Sequence, residues 1–224
     1  TSQRNIMADV NRMFNYLENH KAGTQFLKEC KTLIPSPVSA RKEILKLINT
    51  EIKHANNKRP ASITLKMNSL SDEQLILKLT EAARAGVELK LIIRGIFCMY
   101  SQSKKYKKPV TAISIVDEYL EHARIWVFHN DGKEKVYISS ADWMVRNLDH
   151  RVEATIPVLE EDLKEELKEI LNIQLSDNVK ARLLDNNLSN EYVNSYQNER
   201  VRSQIETYHY LFKKTLIESE ISSH

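Results

Sequence analysis

Only four glycines and five prolines occur among 224 residues, and no Gly-rich loop ending in Lys-Ser or Lys-Thr is present anywhere in the chain. That absence excludes a P-loop nucleotide site, whose backbone amides must wrap a triphosphate. Two cysteines, Cys30 and Cys98, make neither a zinc pattern nor a disulfide framework, which points to a reducing compartment. No run of 18 apolar residues and no signal-type amino terminus appears, so the sequence reads as cytoplasmic, with peripheral contact to a membrane left open. Charge is not one-sided either. The 33 Lys and Arg against 30 Asp and Glu give a formal +3, so only its local distribution carries meaning. Repeats and low-complexity tracts are lacking as well.

What remains is an ordinary globular composition, 42% apolar and 28% charged, in a chain long enough for one substantial α/β core and a smaller appendage. Ile6, Val10, Met13, Phe14 and Leu17 have helical spacing but no preceding element to receive them, so this segment reads as the tail of something upstream. Glu18 to Lys31 is a polar linker or loop, and Pro35 and Pro37 mark a boundary. Pro37, in the first turn after Ser36, opens a helix with a buried stripe of Ile44, Leu45, Ile48, Ile52 and Ala55. Ser62 to Met67 is a strand. Ser71 with Gln74 makes a capping box for a helix whose face is Leu75, Ile76, Leu79, Ala82 and Ala83, closed by Gly86. Val87 to Ile93 is then a second strand parallel to the first, since a strand, helix, strand order makes a right-handed crossover. Ligands of such sheets bind beyond the carboxyl ends of the strands, where Lys66, Asn68 and Arg94 stand. Arg94 to Val110 reads as a loop carrying Arg94, Lys104, Lys105, Lys107 and Lys108 with no acidic residue, a local positive field.

The segment Ile115 to Glu153 gathers the most chemistry. Asp131-Gly132 between two runs rich in β-branched and aromatic residues predicts a hairpin of Arg124 to His129 with Lys135 to Ser139. The end of the second strand then returns to the start of the first, which brings His122 and Arg124 beside Ser139, Ser140 and Asp142. Val152 to Leu159 is another strand, and Glu160, Glu161 and Asp162 start a helix carrying Leu163, Leu167, Ile170 and Leu171. A short helix is expected from Asn178 to Leu184. Val201, Ile205, Tyr208, Phe212 and Leu216 predict a long amphipathic helix that packs back on the domain.

Several of these stretches resemble the carboxyl-terminal part of bacterial polyphosphate kinase: Ile63 to Asp72, Ala85-Gly86-Val87, Leu91 to Ile96, Ser114-Ile115-Val116, Leu120-Glu121-His122, Ser139 to Arg151 and Asp177 to Arg182. Ala8 to Tyr16 resembles the end of the preceding domain of that family. The resemblance divides the chain into residues 1–33, tail of a preceding domain plus linker, and residues 34–224, a catalytic domain. It implies a phospholipase D-like α/β fold, a mixed sheet flanked by helices in which two similar domains each give a histidine to one site. It also implies reversible transfer of the terminal phosphate of ATP to inorganic polyphosphate through a phosphohistidine. The phosphorylated histidine belongs to a Gly-rich motif that this sequence does not contain, and His122 matches the second histidine. Arg94 and His122 match ATP-contacting positions. Mg²⁺ is implied as a cofactor with ligands mainly upstream of this chain. The implied partners are ATP or ADP, polyphosphate, the preceding domains and a second copy in a homo-oligomer. After Arg94-Gly95-Ile96 the sequence departs from the family, which has a cysteine pair and a Pro-Gly turn where this chain has Phe97-Cys98-Met99-Tyr100. On these grounds the chain is expected to be a fragment and inactive alone.

The residues fit that chemistry independently. An imidazole serves near neutral pH as nucleophile or general acid, and phosphoryl transfer needs positive charge fixed around the equatorial oxygens. Arg94, Arg124, Arg146, Arg151 and Lys66 are candidates, with Asn68, Ser140, Asp142 and the four loop lysines as further phosphate or polyphosphate contacts. Trp126 and Trp143 read as core. Two other functions share the features: a phospholipase D-type phosphodiesterase or nuclease, and a non-catalytic polyanion-binding module.

Overall fold

The computed structural model describes residues 2–19, 23–193 and 199–221. Helices α1 (Arg4–Glu18) and α2 (Gln25–Lys28) lead into strand β1 (Ile34–Ser36), helix α3 (Ala40–Asn56), strand β2 (Ser62–Met67), helix α4 (Glu73–Ala85) and strand β3 (Glu88–Ile93). Strands β4 (Val110–Ile115), β5 (Ile125–Phe128), β6 (Lys135–Ser139) and β7 (Glu153–Val158) follow, then helix α5 (Glu161–Leu175), strand β8 (Ala181–Leu183) and helix α6 (Ser203–Ile221). All eight strands form one mixed sheet in the order β1-β7-β6-β5-β2-β3-β4-β8. The central β2, β3 and β4 are parallel, and every other pairing is antiparallel.

The period-2 alternation of side chains divides the apolar residues between two faces. On one face Ile63, Leu65, Leu89, Leu91, Trp126 and Phe128 pack with α3 and α4; on the other Ile92, Ile113, Ile125, Val127 and Val136 meet Leu171 of α5. The first face holds the larger side chains. Trp126 and Trp143 are fully buried and meet edge-on at 5.5 Å between ring centroids, and truncation of a core leucine such as Leu65 costs about 2–5 kcal/mol.

The crossover from β2 to β3 is as the sequence predicts, with a different cap. Asp72, not Ser71, accepts from the Leu75 amide at 3.0 Å, because the Ser71 and Asp72 amides are both spent on the Trp143 carbonyl. Gln74 instead accepts from Arg41. Gly86 adopts φ +104°, and its amide and that of Val87 both donate to the Ala82 carbonyl, a left-handed helix stop that favours glycine.

Other expectations need correction. Ile34–Ser36 is an edge strand on β7, and α3 starts at Ala40, not Pro37; its buried stripe adds Leu47 and Glu51, while Leu45 and Ala55 are only partly covered. The Glu18 to Lys31 stretch contains α2, which buries Leu27. Asp9 of α1 accepts from the Lys31, Thr32 and Leu33 amides at 2.6–3.0 Å. The positive loop ends in a strand, β4, which the lysine run conceals in the sequence. The helix expected from Asn178 to Leu184 does not form. Asp177 takes the amides of Val179, Lys180 and Ala181 on one carboxylate oxygen, and Ala181–Leu183 pairs with the open edge of β4. Finally, α6 forms and packs against α5, but Tyr208, Phe212 and Leu216 are about half exposed or more and Val201 precedes the helix.

Candidate functional site

Strand direction decides which loops meet. β5 runs antiparallel to β2 with Ile125 opposite Lys66, so the residues before β5 stand where β2 ends. β6 runs back along β5 with Ile138 opposite Ile125, which brings the residues after β6 to the same edge. β3 is parallel to β2 and ends there too. Arg94, His122, Arg124 and Asp142 therefore converge from three loops, after β3, before β5 and after β6, at the carboxyl edge of the parallel strands, the place where such sheets take ligands.

His122 is exposed and lies between two guanidinium groups: Arg94 Nη2 is 3.4 Å from its Nδ1 and Arg124 Nη2 is 3.1 Å from its Nε2. It is preceded by an irregular segment after β4. A neutral imidazole has a single acceptor nitrogen. The ring cannot satisfy both arginines, and the other Arg94 hydrogens find no acceptor among the described residues.

Arg124 is fixed from behind. Its Nε and Nη2 donate to the two oxygens of Asp142 at 3.1 and 3.3 Å, and its Nη1 donates to the His122 carbonyl at 3.2 Å. Asp142, 5% exposed, also accepts from the Asn68 and Ser69 amides, which joins the loops after β2 and β6. The sequence groups Asp142 with the phosphate contacts; its geometry commits it to Arg124 and two amides, and a carboxylate there repels rather than binds an anion. Asn68 is buried with a side-chain Nδ2 that has no partner, an orphaned donor of the kind that marks a ligand position. Its carbonyl accepts from Gly95 at 2.7 Å, and a Cβ at Gly95 would lie 3.0 Å from that oxygen, so any larger residue there would crowd the loop beside Arg94.

Lys66 lies on the α5 face. Its Nζ donates to Glu121 Oε2 at 2.6 Å, which Gln174 also reaches. Burial pushes the lysine below its ordinary value, opposed by the charge of Glu121. The ammonium is spent on that pair. Ser140 is bonded to Glu153 and to the Ala154 amide, and Ser139 to Thr155, so both hydroxyls hold the turn into β7. Arg146 opens and Arg151 follows a π-helical turn, Arg146–His150, and their exposed side chains have no partner among the described residues.

The lysine loop is elsewhere. β3 and β4 are parallel and Val110 pairs with Leu89, so the residues before Val110 are at the amino edge of the strands, opposite Arg94. Lys107 donates through its amide to Ala83 and through Nζ to Ala85 at 3.3 Å, closing the end of α4. Lys104, Lys105 and Lys108 are exposed beside it.

Sequence reading misses several groups around the site. Arg41 forks between Asp72 and Asp149 at 2.6–3.0 Å, which tethers α3 to the loop bearing Arg146. Glu121 gathers Lys66, Gln174 and Gln204. The one signal available for Glu121 is its place next to His122.

Residues 33–204 match the family model described as polyphosphate kinase C-terminal domain 2. Among curated relatives, the chain is 44% identical over 211 residues to a polyphosphate kinase of Vibrio cholerae, a match covering 94% of this chain and 30% of the relative. It is 40% identical over 220 residues to one of Escherichia coli O6:H1, covering 98% of this chain and 31% of the relative. The fold is similar to the crystal structure of polyphosphate kinase from Porphyromonas gingivalis, with TM-score 0.89 and 40% identity over 96% of this chain and 32% of that one. The chain thus spans about a third of the length of the relatives it matches.

Proposed function

The chain belongs to the polyphosphate kinase family, as its C-terminal domain 2, and on that premise we propose that it supplies one wall of a site where the terminal phosphate of ATP passes reversibly to inorganic polyphosphate. Residues 34–224 are that domain in this reading, and 1–33 are the end of the preceding one with its linker. The observation that carries the proposal is the placement of His122 between Arg94 and Arg124 at the ligand edge of the sheet.

Transfer proceeds in two displacements. An imidazole nitrogen from the preceding part of the protein attacks the γ-phosphorus of ATP, and its P–N bond forms as the P–O bond to ADP breaks. A terminal oxygen of polyphosphate then attacks the same phosphorus, the P–N bond breaks, and the chain grows by one phosphate. Arg94 and Arg124 present forked cations to the equatorial oxygens, where charge is spread in the transition state. The ring N–H of His122 stabilises the oxygen that departs, and the unpartnered Asn68 amide adds a neutral donor. Among the described residues no group of three or more His, Cys, Asp or Glu is arranged to hold a metal ion. A Mg²⁺ ion would find few ligands in this chain, and in this reading they come mainly from residues upstream and from the phosphates themselves.

The test uses γ-labelled ATP. The full-length protein should incorporate label into polyphosphate and carry an acid-labile phosphoenzyme, whereas the present chain alone should do neither. Label held by the isolated chain and lost in His122→Ala would place the nucleophile here and overturn the reading.

A further inference from the structure

The segment that carries His122 has no framework of its own. Residues 117–123 lie outside any strand or helix, and none of them takes part in a backbone–backbone turn or loop bond among the described residues. An open pocket of about 380 Å³ lies beside the segment, lined by Tyr119, Glu121, Ala123, Ile170, Gln174 and Gln204, so the segment is not closely packed on that side. Leu120, at the crest, is 76% exposed.

Lys66 and Gln174 hold Glu121, Lys180 lies 3.5 Å from Asp117, and Arg124 donates to the His122 carbonyl, but the grip on the Tyr119 backbone comes from more than 80 positions away, at the entry to α6. Arg202 sends Nε and Nη2 to the two oxygens of Asp117, both at 2.8 Å, and Nη2 also reaches Glu118 at 3.1 Å. Arg202 holds the Asp117 carboxyl below its usual range. Gln204 pairs with the Tyr119 backbone as a strand neighbour would: the Tyr119 amide donates to its Oε1 at 3.0 Å, and its Nε2 donates to the Tyr119 carbonyl at 2.8 Å and to Glu121 Oε1 at 3.1 Å. The other oxygen of Glu121 is taken by Lys66 and Gln174. The grip is itself anchored, because Asp177 accepts the Ser203 amide at 2.7 Å and fixes where α6 begins.

We propose that Gln204 and Arg202 are positioning residues for His122, acting through Tyr119, Glu121 and Asp117 to hold its ring between Arg94 and Arg124. The inference rests on the kinase reading. A shift of about 1 Å in a catalytic group costs up to about 10²-fold in rate, and a segment without ladder bonds depends on such side-chain grips to prevent one. Gln204 is suited to the task because a single amide supplies both the acceptor and the donor that an extended backbone needs.

The test is made in the full-length enzyme. Gln204→Ala removes three bonds to the segment and leaves a good helix former in the first turn of α6. It should lower kcat for polyphosphate synthesis about tenfold with KM for ATP changed less than about twofold. Introduced into His122→Ala it should have no further effect, since its only route to the chemistry is then gone. Hydrogen exchange at the Tyr119 amide should accelerate at least about tenfold while the amides of β2 and β3 keep their protection. Arg202→Lys, which keeps the charge and loses the fork, should fall between wild type and Arg202→Ala. An unchanged kcat, an equal loss in the His122→Ala background, or an unchanged Tyr119 exchange rate would each overturn the proposal. If the wild-type enzyme makes no polyphosphate, the kinase reading fails first, and Tyr119 exchange alone then decides whether α6 holds this segment.

Discussion

The two edges of the sheet are both rich in cations and differ in what holds them. At the carboxyl edge Arg124 is braced by Asp142, itself fixed by two backbone amides, and Arg94 issues directly from β3. At the amino edge Lys104, Lys105 and Lys108 hang from a loop with their ammonium groups in solvent, and only Lys107 has a fixed place, as a cap on α4. Charge alone does not make a phosphate site. Catalytic stabilisation depends on donors whose orientation is settled before the substrate arrives, and a mobile lysine must lose about 2 kcal/mol of rotamer entropy to offer the same.

The sharpest way to break this contrast is to remove the group that both arginines face. In the full-length enzyme His122→Ala should reduce kcat by roughly 10²-fold or more with modest change in KM for ATP, in the range of a general acid. If only KM rises, His122 binds nucleotide and takes no part in the transition state. Asp142→Asn comes next. It keeps an acceptor for the Asn68 and Ser69 amides and removes the charge that holds Arg124, so kcat should fall about 10–30-fold while the nucleotide still binds. Steady-state kinetics beside a thermal melt separate this from unfolding, and an unchanged kcat would show that Arg124 needs no brace. Arg94→Lys probes the fork at the same edge with its charge kept. It should raise KM and lower kcat together, for a loss of about tenfold in kcat/KM, and full activity would reduce Arg94 to a point charge.

What was legible in the sequence follows the same division between local and distant causes. β2, β3, the Gly86 stop and the β5–β6 hairpin were legible because their signals lie within a few residues of the structure they produce. The convergence of His122, Arg124 and Asp142 was legible as well, since hairpin direction alone fixes it. β1 and β8 were not, because three-residue edge strands exist only through partners, more than 60 residues off for β8 and over 100 for β1. The position of the lysine loop was not legible, for a related reason. With β4 hidden behind the lysine run, nothing in the sequence said that the chain had travelled back to the far edge before re-entering the sheet. The Arg202 and Gln204 grip on the His122 segment was invisible, since neither residue belongs to any pattern near it.

The smallest expected effect tests the far edge. β3 spans six residues, and at about 3.3 Å of rise each the lysine loop stands roughly 20 Å from Arg94 along the sheet. The Debye length is about 8 Å at physiological ionic strength and about 30 Å at 0.01 M. Lys104, Lys105 and Lys108 should therefore be electrostatically silent toward the site at ordinary salt and felt only when salt is low. Their triple replacement by Ser, with Lys107 kept as the cap of α4, should leave kcat and KM for polyphosphate within about twofold at 0.15 M salt. At 0.01 M the variant should bind polyphosphate more weakly than wild type, because the long-range attraction that steers a polyanion toward the domain has been reduced. Titration of polyphosphate binding against salt for the two proteins gives the answer directly. A large loss already at 0.15 M would mean that the polymer touches these lysines, and that the substrate path runs from one edge of the sheet to the other.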